Sequence, residues 1–345
     1  PQTTADVMFE DGIIREVSPA GKAPTAHAHR IIDADGLLLT PGWVDIHTHY
    51  DGQASWDESF TPSIYHGVTT LVMGNCGVGF APARPDRHDW LIRLLEGVED
   101  IPGTALTEGM TWGWESFDEY LDVLDDLSWT VDVGAQVPHA ALRTYVMGER
   151  GRMNEEATPD DLRQMSQLVT EAVQAGALGF STSRTIGHRA LDGSPVPGTF
   201  APDQELSAIA DAMARAGRGV FEMIPAGTVG KLERLGGERT TPEAEVKFMA
   251  DFSRQSGRKV TFTLVQSPDY APDTWERLLE MVVTANQTGA QLYPQVSSRP
   301  IGLASGLSGY HAFQRRPTYM KLAHLPLAER AREMAKPDIK AAIMS

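Results

Sequence analysis

Residues 45–53 read DIHTHYDGQ, placing His47 and His49 one residue apart at the end of the short apolar run that begins at Trp43. Side chains alternate faces along an extended chain, so Asp45, His47 and His49 share one side and Val44, Ile46 and Thr48 the other. Two imidazoles at i and i+2 can converge on one metal ion, and neutral histidine nitrogen is a usual zinc ligand at about 2.0–2.1 Å. A His-x-His pair is also a common surface feature. His27 and His29 have the same spacing in the polar stretch TAHAHR and are read as solvent-exposed. Position separates the two pairs: His47 and His49 follow Pro41-Gly42, terminate an apolar strand and precede Tyr50-Asp51-Gly52.

Such a pair needs elements to aim it. From residue 43 the chain alternates apolar strand, polar loop and amphipathic helix, with strands expected at 43–48, 68–74, 131–137, 177–182, 218–224, 258–265 and 288–296. Helix signals separate the later strands. Thr158 precedes Pro159 and two aspartates and the run closes on Gly176; Thr241 to Gly257 repeats that grammar. Strand alternating with helix implies a parallel sheet with helical crossovers. Seven strands are one short of a closed (β/α)8 TIM-like barrel, so the expectation is a barrel lacking its last strand in this chain, with an open doubly wound sheet as the alternative. In a barrel, His47 and His49 would sit at the carboxyl end of the first strand, the rim that carries active sites. Residues 1–40, with Asp-Gly steps at 11–12 and 35–36, read as a small β subdomain ahead of a barrel spanning 41–345. The segment 80–130 is too long for an ordinary connection and is expected to form a lid or side-wall insertion.

Composition narrows the partners. The 345 residues carry 30 Lys and Arg against 46 Asp and Glu, a net charge of −16, which repels phosphate backbones and anionic membrane surfaces. No apolar stretch reaches the roughly 18 residues of a membrane span. Neither nucleic acid nor a membrane is therefore expected as a partner. The single cysteine, Cys76, excludes an internal disulfide, and a reducing, cytoplasmic compartment is expected.

PGWVDIHTHYDGQ (residues 41–53) together with GVTTLVMGNCGVGFAP (67–82) resembles the metal-dependent amidohydrolase superfamily, in its N-acyl-D-amino-acid deacylase (D-aminoacylase) branch. The likeness continues through GALGFSTSR (176–184) and LYPQVSSRP (292–300). It implies a (β/α)8 barrel with a small β-sandwich and one or two zinc ions at the barrel mouth. The implied activity is hydrolysis of the amide bond of an N-acyl-D-amino acid, or a similar acylated small molecule, by zinc-activated water. His47 and His49 match the first-strand metal pair, and Cys76 matches the ligand at the end of the second strand. The residues agree in part: Cys76 lies in the glycine-flanked turn Gly74-Asn75-Cys76-Gly77, where backbone can approach a metal closely, although an inert buried thiol is the alternative.

The sequence then departs from the family's pattern. Histidines expected at the ends of the fifth and sixth strands are absent; GVFEMIPAG carries Glu222 near the first position, and VTFTLVQSP carries Thr263 and Leu264 near the second. Glu222 reads either as a substitute zinc ligand or as a buried acid paired with an arginine. The catalytic aspartate expected on the eighth strand would fall after Ser345, so no catalytic residue is assigned. His47, His49 and Cys76 barely supply the three protein ligands of a catalytic zinc site, and the histidines could stand too far from the thiol to share an ion. In STSRTIGHRALDGSPVPGTFA (181–201), Arg184, His188 and Arg189 read either as a wall binding the substrate carboxylate or as surface charges. Tyr293 and Arg299 are weaker candidates of the same kind, and His139 reads as a satisfied structural histidine. A cyclic amide or imide hydrolase of the same superfamily, or a barrel that binds a ligand without catalysis, are the alternative functions. Oligomeric state is not legible.

Overall fold

The computed structural model describes residues 3–297, 306–307, 311, 313 and 316–345. Arg299 lies outside them. The chain divides into two compact units that meet between Gly42 and Trp43.

In the first unit, β1 (Ala5–Glu10) pairs antiparallel with β2 (Ile13–Pro19) across a two-residue turn. Asp11 and Gly12 both take positive φ there, 50° and 75°, the geometry a tight hairpin needs. The expected β run through residues 30–40 forms no strand. Ile31, Ile32 and Leu37 to Leu39 are all more than 60% exposed, and the stretch has no neighbouring strand among the described residues to take up its backbone groups.

The second unit holds the parallel strands: β3 (Trp43–Asp45), β4 (Val68–Met73), β5 (Asp132–Ala135), β6 (Val137–Pro138), β7 (Gly179–Ser183), β8 (Val220–Ile224), β9 (Lys259–Thr263) and β10 (Leu292–Gln295). β3, β4 and β5 form one sheet and β6 to β10 another, each strand lying beside its sequence neighbour. Only Gln136 separates β5 from β6. Its N–H donates to Met73 O, and Leu178 N–H donates to Ala135 O, so this stretch is bonded on both sides. All seven expected strand regions are occupied, most by shorter strands, and the expected strand at 131–137 is split into β5 and β6, which belong to different sheets. The first stops at Asp45, yet Thr48 N–H still donates to Val72 O at 3.0 Å.

Three helices fill the long segment after β4: α1 (His88–Glu99), α2 (Gly103–Gly109) and α3 (Phe117–Asp125). Leu91, Leu94, Leu95, Leu106, Tyr120 and Leu124 are buried in the main core, so this insertion is a packed wall of the unit. After β6 come α4 (His139–Met147), α5 (Glu149–Arg152), α6 (Pro159–Ala175), α7 (Asp203–Arg215), α8 (Pro242–Ser256) and α9 (Thr274–Gln287). α6 begins where its sequence signals place it: Thr158 accepts from Asp161 N–H, while the Asp161 carboxylate accepts from Thr158 N–H. Thr241 caps α8 with a single bond, its hydroxyl accepting from Ala244 N–H.

Alternation along the strands sorts their side chains. Phe180 on β7 and Phe221 on β8 stack toward Phe252 on α8, with ring centroids 5.1 and 4.7 Å apart, closing the space between sheet and helices. Ser181 and Glu222, register partners on the opposite face, point to the turn after β4. No helix among the described residues is long and apolar enough to cross a membrane.

Candidate metal centre

The turn after β4 is built for close approach. Gly74 has φ +78°, and a Cβ there would lie 2.2 Å from the Gln136 carbonyl oxygen, so only glycine fits. Cys76 itself adopts φ +58°, a left-handed conformation that costs a non-glycine residue energy and is typically retained at functional positions. Asn75 is fully buried and explains how this turn reaches the histidines. Its Nδ2 donates to Thr48 O at 3.1 Å and to Val72 O at 2.9 Å, and its Oδ1 accepts from Gln136 Nε2. Thr48 is the residue between His47 and His49, and its hydroxyl also donates to Val72 O. The His-x-His segment is thereby tied to the strand that carries the thiol.

His47, His49 and Cys76 converge, each offering a donor atom within 4.8 Å of the others. His47 Nε2 lies 3.2 Å from Cys76 Sγ, so the histidines and the thiol are close enough to share an ion after all. His47 Nδ1 lies 2.7 Å from Gln295 Oε1. A glutamine carbonyl oxygen only accepts, which puts the proton on Nδ1 and leaves the Nε2 lone pair facing Cys76. Replacing Gln295 with leucine is expected to release that ring and lower metal affinity about 10–100-fold, the usual effect of losing an outer partner of a ligating histidine. Titration against a chromophoric chelator measures it, and unchanged affinity would mean that the ring is held elsewhere.

Two carboxylates flank the cluster. Glu222 is fully buried; its Oε2 accepts from Cys76 N–H at 3.2 Å, and its Oε1 has no hydrogen-bond partner. Among the described residues it is paired with no arginine. Glu99, at the end of α1, places Oε1 3.2 Å from His49 Nε2. Burial, then repulsion from Glu99 and Glu222, pushes the Cys76 thiol well above its ordinary range. Burial, reinforced by His47, lowers His49 to about 3, which keeps its imidazole neutral. Burial also raises Asp51 to about 7. His49 Nδ1, Asp51 Oδ2 and Glu222 Oε1 are all buried without a partner among the described residues. Orphaned lone pairs around neutral imidazoles and a thiol are costly in a protein interior and are relieved by a cation. The donor set, nitrogen, sulfur and oxygen, suits zinc.

The remaining candidates divide. Partly buried His188 approaches the centre: its Nδ1 lies 3.0 Å from Ser183 Oγ, and, burial apart, Glu99, His49 and His47 act on its titration. Arg184 does not join it. The guanidinium fork is taken by Glu245, at 2.9 and 3.1 Å, and packs over the Phe248 ring, so its paired edge is not open to a substrate carboxylate. Arg189 is likewise spent on backbone carbonyls of Ile186 and Gly193. Tyr293 is half exposed, two residues before Gln295 on β10. His139 is satisfied, between Thr182 Oγ1 at 2.8 Å and Glu205 Oε1 at 2.7 Å.

Sequence reasoning passed over Asn75, Glu99 and Gln295. Buried Asn75 between two glycines of the motif carried a signal, because a polar residue there must satisfy backbone groups. Glu99 carried none, for an acid at a helix end reads as solvated.

Comparison with known proteins agrees with this geometry. The profile of the amidohydrolase family matches residues 30–345. D-aminoacylase of Alcaligenes xylosoxydans xylosoxydans is 35% identical over 166 residues, covering 48% of this chain and 31% of the relative. N-acyl-D-aspartate deacylase of the same organism is 33% identical over 182 residues, covering 53% and 33%. Among solved structures, D-aminoacylase superposes with a TM-score of 0.63 at 24% identity, over 85% of this chain and 54% of that one. N-acyl-D-glutamate deacylase from Bordetella bronchiseptica, complexed with zinc and a phosphonate inhibitor, gives 0.62 at 24% identity, over 86% and 55%. The matches span about a third of the length of these curated relatives and about half of the solved chains. With the profile matching residues 30–345 and the His-x-His and Cys76 donors brought to one point, this chain belongs to the amidohydrolase family.

Proposed function

We propose that the protein is a metal-dependent hydrolase of carbon–nitrogen bonds other than peptide bonds, acting on N-acyl-D-amino acids through zinc held by His47, His49 and Cys76, with Glu222 contributing a carboxylate. The convergence of those three donors within 4.8 Å carries the reading. The deacylases among its relatives support the substrate class. On this reading the seven consecutive parallel strand positions belong to a (β/α)8 barrel, and residues 1–40 to a small β subdomain.

The chain's own residues prepare the site. Gln295 and Asn75 hold the histidine segment so that the ligating lone pairs meet at one point. Burial keeps His49 neutral, the form in which it ligates. Ser183 orients His188 beside the centre, where its imidazole can donate to the acyl or carboxylate oxygen of a bound substrate. Zinc, when bound, polarises a scissile carbonyl and lowers the pKa of water toward about 7.

The test combines zinc analysis with a panel of N-acetyl-D- and N-acetyl-L-amino acids. Stoichiometric zinc and release of free D-amino acid, with the L series at least about 100-fold slower, are expected of a site that reads stereochemistry by several contacts. Zinc-loaded protein that leaves both series intact but opens cyclic imides would overturn the substrate assignment. Protein that takes up no zinc would overturn the whole reading.

A further inference from the structure

We infer that Glu99 is a ligand of the cation held by His47, His49 and Cys76, and that helix α1 of the insertion supplies this donor from outside the strands and the turns that follow them. This rests on the metal-dependent reading above.

Three observations carry it. The first is distance. Donors bonded tetrahedrally to zinc at about 2.0–2.3 Å stand about 3.3–3.7 Å apart. Glu99 Oε1 to His49 Nε2 and His47 Nε2 to Cys76 Sγ are both 3.2 Å, within a few tenths of an ångström of such an edge. A buried imidazole–carboxylate pair optimised for its own sake closes to about 2.7–2.9 Å. His139 and Glu205 in this protein do close to 2.7 Å.

The second is helix position. Glu99 is the last residue of α1, where the helix dipole disfavours a negative side chain. Local helix energetics therefore give no reason for an acid at this place. The third is how the helix is brought there. A Cβ on Gly97 would lie 2.5 Å from Ala190 C and Leu191 N, so glycine lets the end of α1 press against the segment that carries His188. That close approach delivers Glu99 to His49.

The four donors then come from three parts of the chain: the loop after β3 for both histidines, the turn after β4 for Cys76 and the end of α1 for Glu99.

The experiment titrates Co²⁺ and Zn²⁺ into wild type, Glu99→Gln and Glu99→Asp. It reads affinity by chelator competition, together with the ligand-field spectrum of the cobalt form. Glu99→Gln preserves shape and removes the anionic donor. The expected result is about 100-fold or greater loss of affinity, above the range typical of an outer partner, with the sulfur-to-cobalt band of Cys76 retained but the ligand-field bands altered. Glu99→Asp should recover part of the affinity, and it supplies the readout if the glutamine variant does not fold. Affinity within threefold of wild type and an unchanged cobalt spectrum would overturn the assignment of Glu99 and leave the metal site standing. Wild type that binds neither ion would overturn both.

Discussion

Protein carrying Cys76→Ser or His47→Ala is expected to purify with less than a tenth of the metal of the wild type. These residues are two of the three donors that meet within 4.8 Å, and Cys76 is the only cysteine in the sequence. Loss of a direct ligand should exceed the roughly 10–100-fold weakening caused by loss of an outer partner. Folding need not suffer equally. Serine at position 76 keeps the size and polarity suited to the left-handed turn, so metal loss and unfolding can be told apart by measuring metal content and thermal melting on the same sample. Full occupancy in either variant would remove these residues from the ligand set. Hydrolysis of acyl-amino acids should fall with occupancy, and restoring zinc to metal-stripped wild type should restore it.

The second large effect concerns stability, at a site remote in role from the metal. Glu205 and Arg143 are almost wholly buried, and one guanidinium nitrogen reaches both carboxylate oxygens while His139 donates to one of them. Glu205→Gln leaves the Arg143 charge buried without its counterion, which costs about 3–5 kcal/mol. For Glu205 itself burial pushes the pKa up, but the hydrogen bond and charge of His139 and the pairing with Arg143 outweigh it. The result is a value of about 2 in place of an ordinary 4.5. The folded state thus binds this proton more weakly than the unfolded chain. The stability it contributes, on the order of 3 kcal/mol, is complete above about pH 4.5 and is lost as the pH falls toward 2. Urea unfolding at pH 7 and pH 3 checks both parts. The wild type should lose stability between the two, and the variant should start lower and show a shallower fall. Equal stability of the two proteins at pH 7 would refute the buried pair as a contributor.

His139 also shows why patterns near a rim need geometry before they are given roles. Thr182, His139 and Glu205 form a hydroxyl–imidazole–carboxylate chain, yet all three are fully buried and no substrate can reach the hydroxyl. It is a polar element of the core.

The strand positions and helix starts were legible because local signals and burial agree: Thr158-Pro159 and Thr241-Pro242 cap helices, and within each sheet every strand is an apolar run beside its sequence neighbour. The same holds for His47, His49 and Cys76, whose types and spacing name a donor set. Arg184 was not legible. Its partner Glu245 is 61 residues away, and nothing local distinguishes a paired guanidinium from an available one. Glu99 was hidden for a related reason, since its importance comes from where Gly97 allows the helix to rest. Residues 46–48 read from sequence as continuing the strand that the structure ends at Asp45, because alternation describes side-chain direction equally well in either case. Thr48 and Asn75, through bonds to Val72, decide where the chain bends.

The hydrogen bond from His47 to Gln295 spans 248 residues and joins the first of the parallel strands to the last. Contacts of such long sequence separation form late, after the intervening chain has collapsed. Metal capture should therefore mark the end of folding. In a refolding experiment begun in the presence of cobalt, the thiolate band would rise with the slowest phase, after helical signal has returned, and chelation would loosen the contact between His47 and Gln295 first.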